Sequence, residues 1–242
     1  MGFTNSNVQR LRRLLGRRSA RTDEGAFVVE GAVLIAEAIA AGWQVDAEYV
    51  APGGEPVGAG PAYRLAEGVL ERVATTERPQ PNLAVVALPA VRGISDERFV
   101  VVADRLADPG NLGTILRSAE ASGADAVVLT PGSVDPFNPK VVRASAGAVF
   151  HVPVLAATLD DVRAAGLRLL GTSSHRGSAH TATDWSGDLA LVLGNEAHGL
   201  DDAAGVDDWV QIVHRGRGES LNVAMAATVL LFEAARHRAG PG

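Results

Sequence analysis

Beyond residue 97, apolar residues arrive in short, mostly unbroken runs. Residues 99–103, 126–129, 150–155, 168–171, 189–193 and 210–213 are such runs, rich in valine and leucine. A strand covered on both faces reads this way, as in the parallel sheets of α/β proteins. Between the runs, apolar positions recur every three or four residues over 112–122, 139–146, 159–165 and 220–237, which predicts helices. Together they predict an α/β doubly wound parallel sheet, whose ligands gather at the carboxyl ends of its strands. The first 90 residues alternate on a smaller scale. They read as a helix over 5–15, strands over 26–30 and 47–51, an alanine-rich helix over 32–41, a helix over 65–71 and a buried strand over 83–88. Residues 52–61 form a loop rich in glycine and proline, and 89–96 separate the two parts. The expected organisation is a small α/β domain over 1–90 and a larger domain over 97–242.

Composition supports a folded chain. Of 242 residues, 47% are hydrophobic and 21% charged, which excludes a disordered polyelectrolyte. The absence of cysteine excludes disulfides and thiolate metal sites. No apolar run reaches the ~18 residues of a membrane span, and the arginine-rich start lacks the apolar stretch of a secretory signal, so a cytoplasmic protein is expected. Net charge is −6, yet Arg10, Arg12, Arg13, Arg17, Arg18 and Arg21 fall in a stretch without an acid. Such a local positive field can contact phosphates by counterion release. Lys140 is the only lysine, and arginine suits bidentate phosphate contacts. RNA contact is expected at Arg10, Arg13, Arg17 and Arg18. A solvated helix face or a presequence would carry the same residues.

Three segments hold the chemistry. The turn 215–218, with glycines at 216 and 218, carries Ser220 and Asn222 into an apolar helix of small residues, as a ligand loop would. Glu219 and Ser220 can cap that helix, and a capped surface helix is the plainer reading. A second segment, 104–129, has the tight turn Asp108-Pro109-Gly110-Asn111 followed by Arg117. Six residues separate Asn111 from Arg117, about 600° of helical rotation, so the two share no face if both are helical. Asn111 is therefore expected at or before the helix start, where it can cap. The third segment, 191–200, contains Gly194-Asn195-Glu196 and His198. The two-residue step from Glu196 to His198 is no helix-face ligand spacing, and a metal is not expected. Gly110 to Gly113 lacks the three-glycine dinucleotide fingerprint, which disfavours an oxidoreductase.

In this order the three segments resemble the SpoU (TrmH-like) family over roughly residues 97 to 238. Residues 8 to 88 are similar to the small RNA-binding domain that often precedes it. The resemblance implies an S-adenosylmethionine-dependent RNA ribose 2′-O-methyltransferase. It also implies a deep trefoil knot and a homodimer, with residues 223–235 as a candidate contact. It matches Arg117 to the family's catalytic arginine and places Asn111, Glu196, Ser220 and Asn222 around the active site. Glu196 could accept from the Asn222 amide or a ribose hydroxyl. Thr172, Ser173, Leu193, Gly194, Ile212 and Leu221 match the cofactor loops, while Lys140, Arg143 and Ser145 match a segment lining the RNA side. Ribosomal RNA is expected over transfer RNA, since an N-terminal RNA-binding domain precedes. A non-catalytic RNA-binding protein of the same fold is the rival, and it predicts damaged motifs. One departure concerns the cofactor contacts: Val213-His214-Arg215-Gly216 follows Ile212 where the family has proline and methionine. With a pKa above ~12, Arg117 is a poor base and is expected to act electrostatically.

Overall fold

A computed structural model describes residues 1–201, 204–218 and 220–239. Its elements begin with α1 (Ser6–Gly16), α2 (Arg18–Glu24), β1 (Ala26–Glu30), α3 (Ala32–Ala40), β2 (Val45–Val50), β3 (Ala62–Arg64), α4 (Val69–Val73) and β4 (Asn82–Ala87). Then follow β5 (Phe99–Ala103), α5 (Pro109–Ser122), β6 (Ala126–Leu129), α6 (Pro139–Ala144), β7 (Val154–Ala156), α7 (Leu159–Ala164) and β8 (Arg168–Thr172). The chain continues through β9 (Ser178–Ala179), β10 (Leu189–Leu193), β11 (Asp208–Gln211) and α8 (Val223–Arg238). Two compact units result, one of residues 1–90 with 135–150, the other of 91–134 with 151–242. Residues 135–150, inside the stretch expected to be a single C-terminal domain, pack in the first unit.

In the first unit, the four strands lie in the order β1-β4-β2-β3, with β4 antiparallel to both neighbours and β2 parallel to β3. The Asn5 side chain caps α1 by accepting from the Asn7 amide at 3.0 Å, and Val8, Leu11, Leu14 and Leu15 bury one face of the helix. Arg17 is extended (φ −130°), so the chain breaks and restarts as α2. That helix, RSARTDE, has one apolar residue, Ala20, so no periodicity announces it. The strand β3 is equally silent, being short and largely exposed. Gly68, at φ 72°, delays α4 to residue 69 instead of the expected 65. Buried Glu48 organises the glycine-proline loop by accepting from the amides of Val57, Gly58 and Ala59 at 2.7–2.8 Å.

Residues 135–150 pack into an aromatic cluster of this unit. Phe137 lies 4.8 Å from Phe27 and Phe150 lies 5.5 Å from Trp43, ring centre to ring centre. The indole of Trp43 donates to the Phe150 carbonyl at 3.0 Å. Arg21 is 4% exposed; its Nε donates to Asp135 at 2.7 Å and its Nη1 to the Leu14 carbonyl. It is a core residue, which removes it from the expected basic surface.

The second unit is built on a parallel sheet of seven described strands in the order β7-β6-β5-β10-β8-β11-β9. Its strands are buried as their composition predicts, with β5, β6 and β10 covered throughout. Ends differ most from expectation in two strands. Gly147, at φ 99°, leads into a single 3-10 turn at Ala148–Phe150, so β7 starts only at 154. The last strand ends at Gln211, which leaves Ile212 and Val213 in the following loop. Helices α5 and α8 pack together, joined by the hydroxyls of Ser118 and Thr228 at 2.7 Å.

Candidate functional site

Three loops leave the carboxyl ends of β8, β10 and β11, where the strand order makes these three consecutive in space with β8 in the middle. They enclose a cleft of about 800 Å³, within the ~300–1,000 Å³ typical of small-molecule sites. Asn111, Thr172, Ser173, Leu193, Gly194, Glu196, Ile212, Ser220, Leu221 and Asn222 all line it, so the structure brings these sequence candidates to one place. Arg117 is not among the lining residues. It is exposed on α5, and both Asn111 and Arg117 prove helical, so the 600° between them turns Arg117 away from the Asn111 face.

The polar end of the cleft is a chain of hydrogen bonds. Glu196 accepts from the amides of Ala107 at 3.1 Å and Asp108 at 2.8 Å, and from Asn111 Nδ2 at 3.1 Å. The Asn111 Oδ1 in turn accepts from Asn222 Nδ2 at 2.9 Å. Asn222 Oδ1 then caps α8, accepting from Ala224 at 2.9 Å and Met225 at 3.3 Å. This corrects three expectations. Glu196 receives Asn111 and not Asn222; Asp108 caps α5 by accepting from the Asn111 amide, so Asn111 lies in the first turn; and Asn222, not Ser220, caps α8. Glu219 lies outside the described residues.

Burial pushes the Glu196 carboxyl up, but the Asp108 and Ala107 amides and the Asn111 side chain outweigh it and hold the pKa below its ordinary value. A depressed folded pKa means the clip stabilises at all pH values above the unfolded pKa and is lost as pH falls through the folded one. Glu196→Gln puts an NH2 group against these donors and should lower the melting temperature. The deficit should be constant above about pH 5 and shrink in more acidic buffer, as the wild-type carboxylate itself titrates. A pH-independent deficit down to the acid transition would contradict the assignment.

Glycines set the apolar end. A Cβ on Gly194 would stand 2.2 Å from the Gly199 carbonyl carbon and the Leu200 nitrogen. Asn195 and Gly199 exchange two backbone hydrogen bonds at 3.0 and 2.8 Å, closing this loop tightly. Thr172 donates to the Val192 carbonyl at 3.0 Å, and Ser173 Oγ accepts from the His175 amide at 3.2 Å, so both hydroxyls brace the β8 loop. Arg176 stacks 3.6 Å above the Trp209 ring and Gln211 Nε2 donates to the Gly177 carbonyl at 2.7 Å, which fastens that loop to β11. Asn195, His175, His198, Trp209 and His214 also line the cleft and are not among the expected site residues. Asn195 carried a usable signal, standing between Gly194 and Glu196; the others became visible only through the loops' convergence. Apolar walls at Leu193, Ile212 and Leu221, a glycine-closed loop and neutral polar groups fit a nucleoside-containing cofactor such as S-adenosylmethionine.

In the first unit, Arg12, Arg13, Arg17 and Arg18 are exposed. Arg10 bonds Glu24 at 2.7 Å and Asp46 at 3.5 Å, and Arg13 reaches Glu24 at 3.2 Å. Arg12 and Arg72 both lie over the Phe3 ring. Lys140 is exposed, Arg143 is half-buried 3.4 Å from Glu30, and Ser145 is fully buried with its hydroxyl on the Val142 carbonyl. Ser145 is thus a packing residue and not an RNA contact.

The parallel sheet with three loops around one cleft defines a cofactor-binding α/β domain. Residues 98–232 match the model of the SpoU rRNA Methylase family, and residues 5–84 match the MRM3-like substrate binding domain. The chain belongs to the SpoU rRNA methylase family. It is 35% identical to the 23S rRNA (guanosine(2553)-2′-O)-methyltransferase RlmP of Bacillus subtilis, over 90% of this chain and 92% of that one. It is 33% identical to a 23S rRNA (uridine(2479)-2′-O)-methyltransferase of Streptomyces viridochromogenes, over 97% and 91%. Among solved structures, the SpoU methyltransferase AviRb from Streptomyces viridochromogenes in complex with AdoMet superimposes with a TM-score of 0.86 at 32% identity, covering 98% of this chain and 100% of that one.

Proposed function

We propose that this protein transfers a methyl group from S-adenosylmethionine to a ribose 2′-hydroxyl of structured RNA, with ribosomal RNA as the substrate class. The observation that carries this reading is the cleft at the strand ends, in which the glycine-closed cofactor loops meet the Glu196–Asn111–Asn222 chain. When bound, the cofactor supplies the sulfonium methyl group. Leu193, Gly194, Ile212 and Leu221, with the β8 loop at Thr172 and Ser173, hold it, while Asn111, Glu196 and Asn222 fix the floor on which the ribose lies. The relatives that act on 23S rRNA methylate a guanosine in one case and a uridine in the other, which supports recognition of the ribose and its RNA context over the base. The first unit, with its exposed arginines, serves as the RNA-binding domain. A ribosomal RNA substrate supports a cytoplasmic enzyme.

Arg117 enters this reading through a second copy of the chain. Helix α8 exposes Met225, Val229 and Phe232 at 62%, 40% and 49%, a stripe at helical spacing that a homodimer would cover. Arg117 then binds the phosphate beside the target ribose in the partner's cleft and steadies charge developing on the 2′ oxygen. The knotted path of the family's chain belongs to the same reading. Arg117→Ala should lower the rate by about 10²–10³-fold, and Arg117→Lys should stay well below wild type because a lysine lacks the planar fork. Near-normal activity of the lysine variant would sink the electrostatic role. The reaction itself is tested with methyl-labelled S-adenosylmethionine and unmodified ribosomal or transfer RNA: label in alkali-resistant dinucleotides is expected with ribosomal RNA. Cofactor and RNA binding without such label would overturn the enzymatic reading.

A further inference from the structure

Arg105 lies two residues beyond the end of β5 with φ at 51°, a left-handed conformation shared among described non-glycine residues only with Ala146. Glycine or asparagine adopts it with little strain, and arginine does not. Strain of this kind persists where the surroundings over-determine it, and here they do. The Arg105 amide donates to Thr130 Oγ1 at 2.9 Å, and its carbonyl accepts from Asn195 Nδ2 at 2.8 Å. Nε and Nη2 both lie 3.0 Å from one oxygen of Asp104, whose other oxygen accepts from the Thr130 hydroxyl at 2.8 Å. The Asp104 side chain is 9% exposed, while that of Arg105 is 50% exposed. A buried carboxylate thus aims one edge of the guanidinium inward and leaves the other edge toward solvent.

We propose that Arg105 is an RNA-binding residue, taking a phosphodiester of the substrate strand at the lip of the cofactor cleft. The inference rests on the methyltransferase reading above and adds to it a contact outside the cleft's lining. Asn195 is part of the cleft wall, so the Arg105 backbone stands one hydrogen bond from it. The neighbouring amides of Ala107 and Asp108 are clipped to Glu196, so the loop carrying Arg105 keeps a fixed place beside the ribose floor. Those two loops also carry the carboxylates of Asp104, Asp108 and Glu196, which repel a polyanion. Arg105 is the cation that these loops supply against that repulsion, and its fork geometry suits a phosphate. As an ion pair alone it explains little, since a half-exposed pair contributes weakly.

The test uses the full-length protein and Arg105→Asn, which accepts the left-handed backbone while removing the charge. Affinity for an unmodified 23S rRNA transcript is measured across a salt series, alongside cofactor affinity by calorimetry and the melting temperature. We expect RNA affinity to fall about 10-fold and the slope of log affinity against log salt to flatten by about 0.7–0.9. Cofactor affinity should stay at the wild-type value and the melting temperature should not fall, since asparagine accepts the left-handed backbone, and Arg105→Lys should recover the slope. Unchanged RNA affinity and slope in Arg105→Asn would overturn the proposal. So would a parallel loss of melting temperature and cofactor affinity, which marks a structural residue. Failure of the wild type to methylate RNA would count against the methyltransferase reading alone, because RNA affinity reports on Arg105 without turnover.

Discussion

Replacing Gly194 with alanine should abolish S-adenosylmethionine binding while leaving the fold intact. The added methyl group would lie 2.2 Å from backbone atoms of Gly199 and Leu200, which no side-chain rotation can relieve. The loop must open, and the paired hydrogen bonds between Asn195 and Gly199 go with it. Overpacking of this sort costs about 1–3 kcal/mol. The larger effect falls on binding, because the same loop supplies Leu193, Gly194 and Glu196 to the cleft. A loss of cofactor affinity of at least about 100-fold, or about 2.8 kcal/mol, is expected by calorimetry. Urea denaturation should show a much smaller change in stability. Affinity within a few-fold of wild type would mean that the 195–199 turn does not shape the site.

The second large effect is on stability. Arg21→Ala removes a guanidinium that is 4% exposed and leaves Asp135 and the Leu14 carbonyl without their donor. Breaking a buried pair from one side costs about 3–5 kcal/mol, whereas replacing both partners by apolar residues costs far less. Urea denaturation should therefore show a severe loss for Arg21→Ala and substantial recovery in Arg21→Met combined with Asp135→Leu. The comparison also tests the division of the chain, because Asp135 reaches Arg21 only if residues 135–150 fold with the first unit. A loss below about 1 kcal/mol in Arg21→Ala would separate them.

Several residues that line the cleft can be named from the sequence, whereas the hydrogen bonds that join them cannot. Thr172, Leu193, Gly194, Ile212 and Leu221 are legible through the match of their loops to the SpoU family, and Thr172, Leu193 and Gly194 also stand at or just beyond the end of an apolar run, where a parallel sheet presents its loops. Glu196, Asn111 and Asn222 were legible as participants, but their order was not. The bond from Asn111 to Glu196 spans 85 residues and that from Asn222 to Asn111 spans 111, and no local pattern encodes such distances. The pairing within the basic run is hidden for the same reason. Arg10, Arg13 and Arg21 are alike in sequence, yet Glu24, Asp46 and Asp135 draw them into pairs.

By itself the sequence determined what depends on near neighbours. It set the alternation of buried strands and amphipathic helices, the break between the two parts, the three ligand loops and the family they resemble, because side-chain period and turn chemistry act over a few residues. Tertiary structure alone decided which unit residues 135–150 join, since aromatic rings at 137 and 150 could pack on any apolar surface until Phe27 and Trp43 were placed. It also decided that Thr130 and Asn195 hold the Arg105 backbone in a conformation its own chemistry resists. In each case the decisive term is a contact between distant residues, whose geometry exists only once the sheet is assembled.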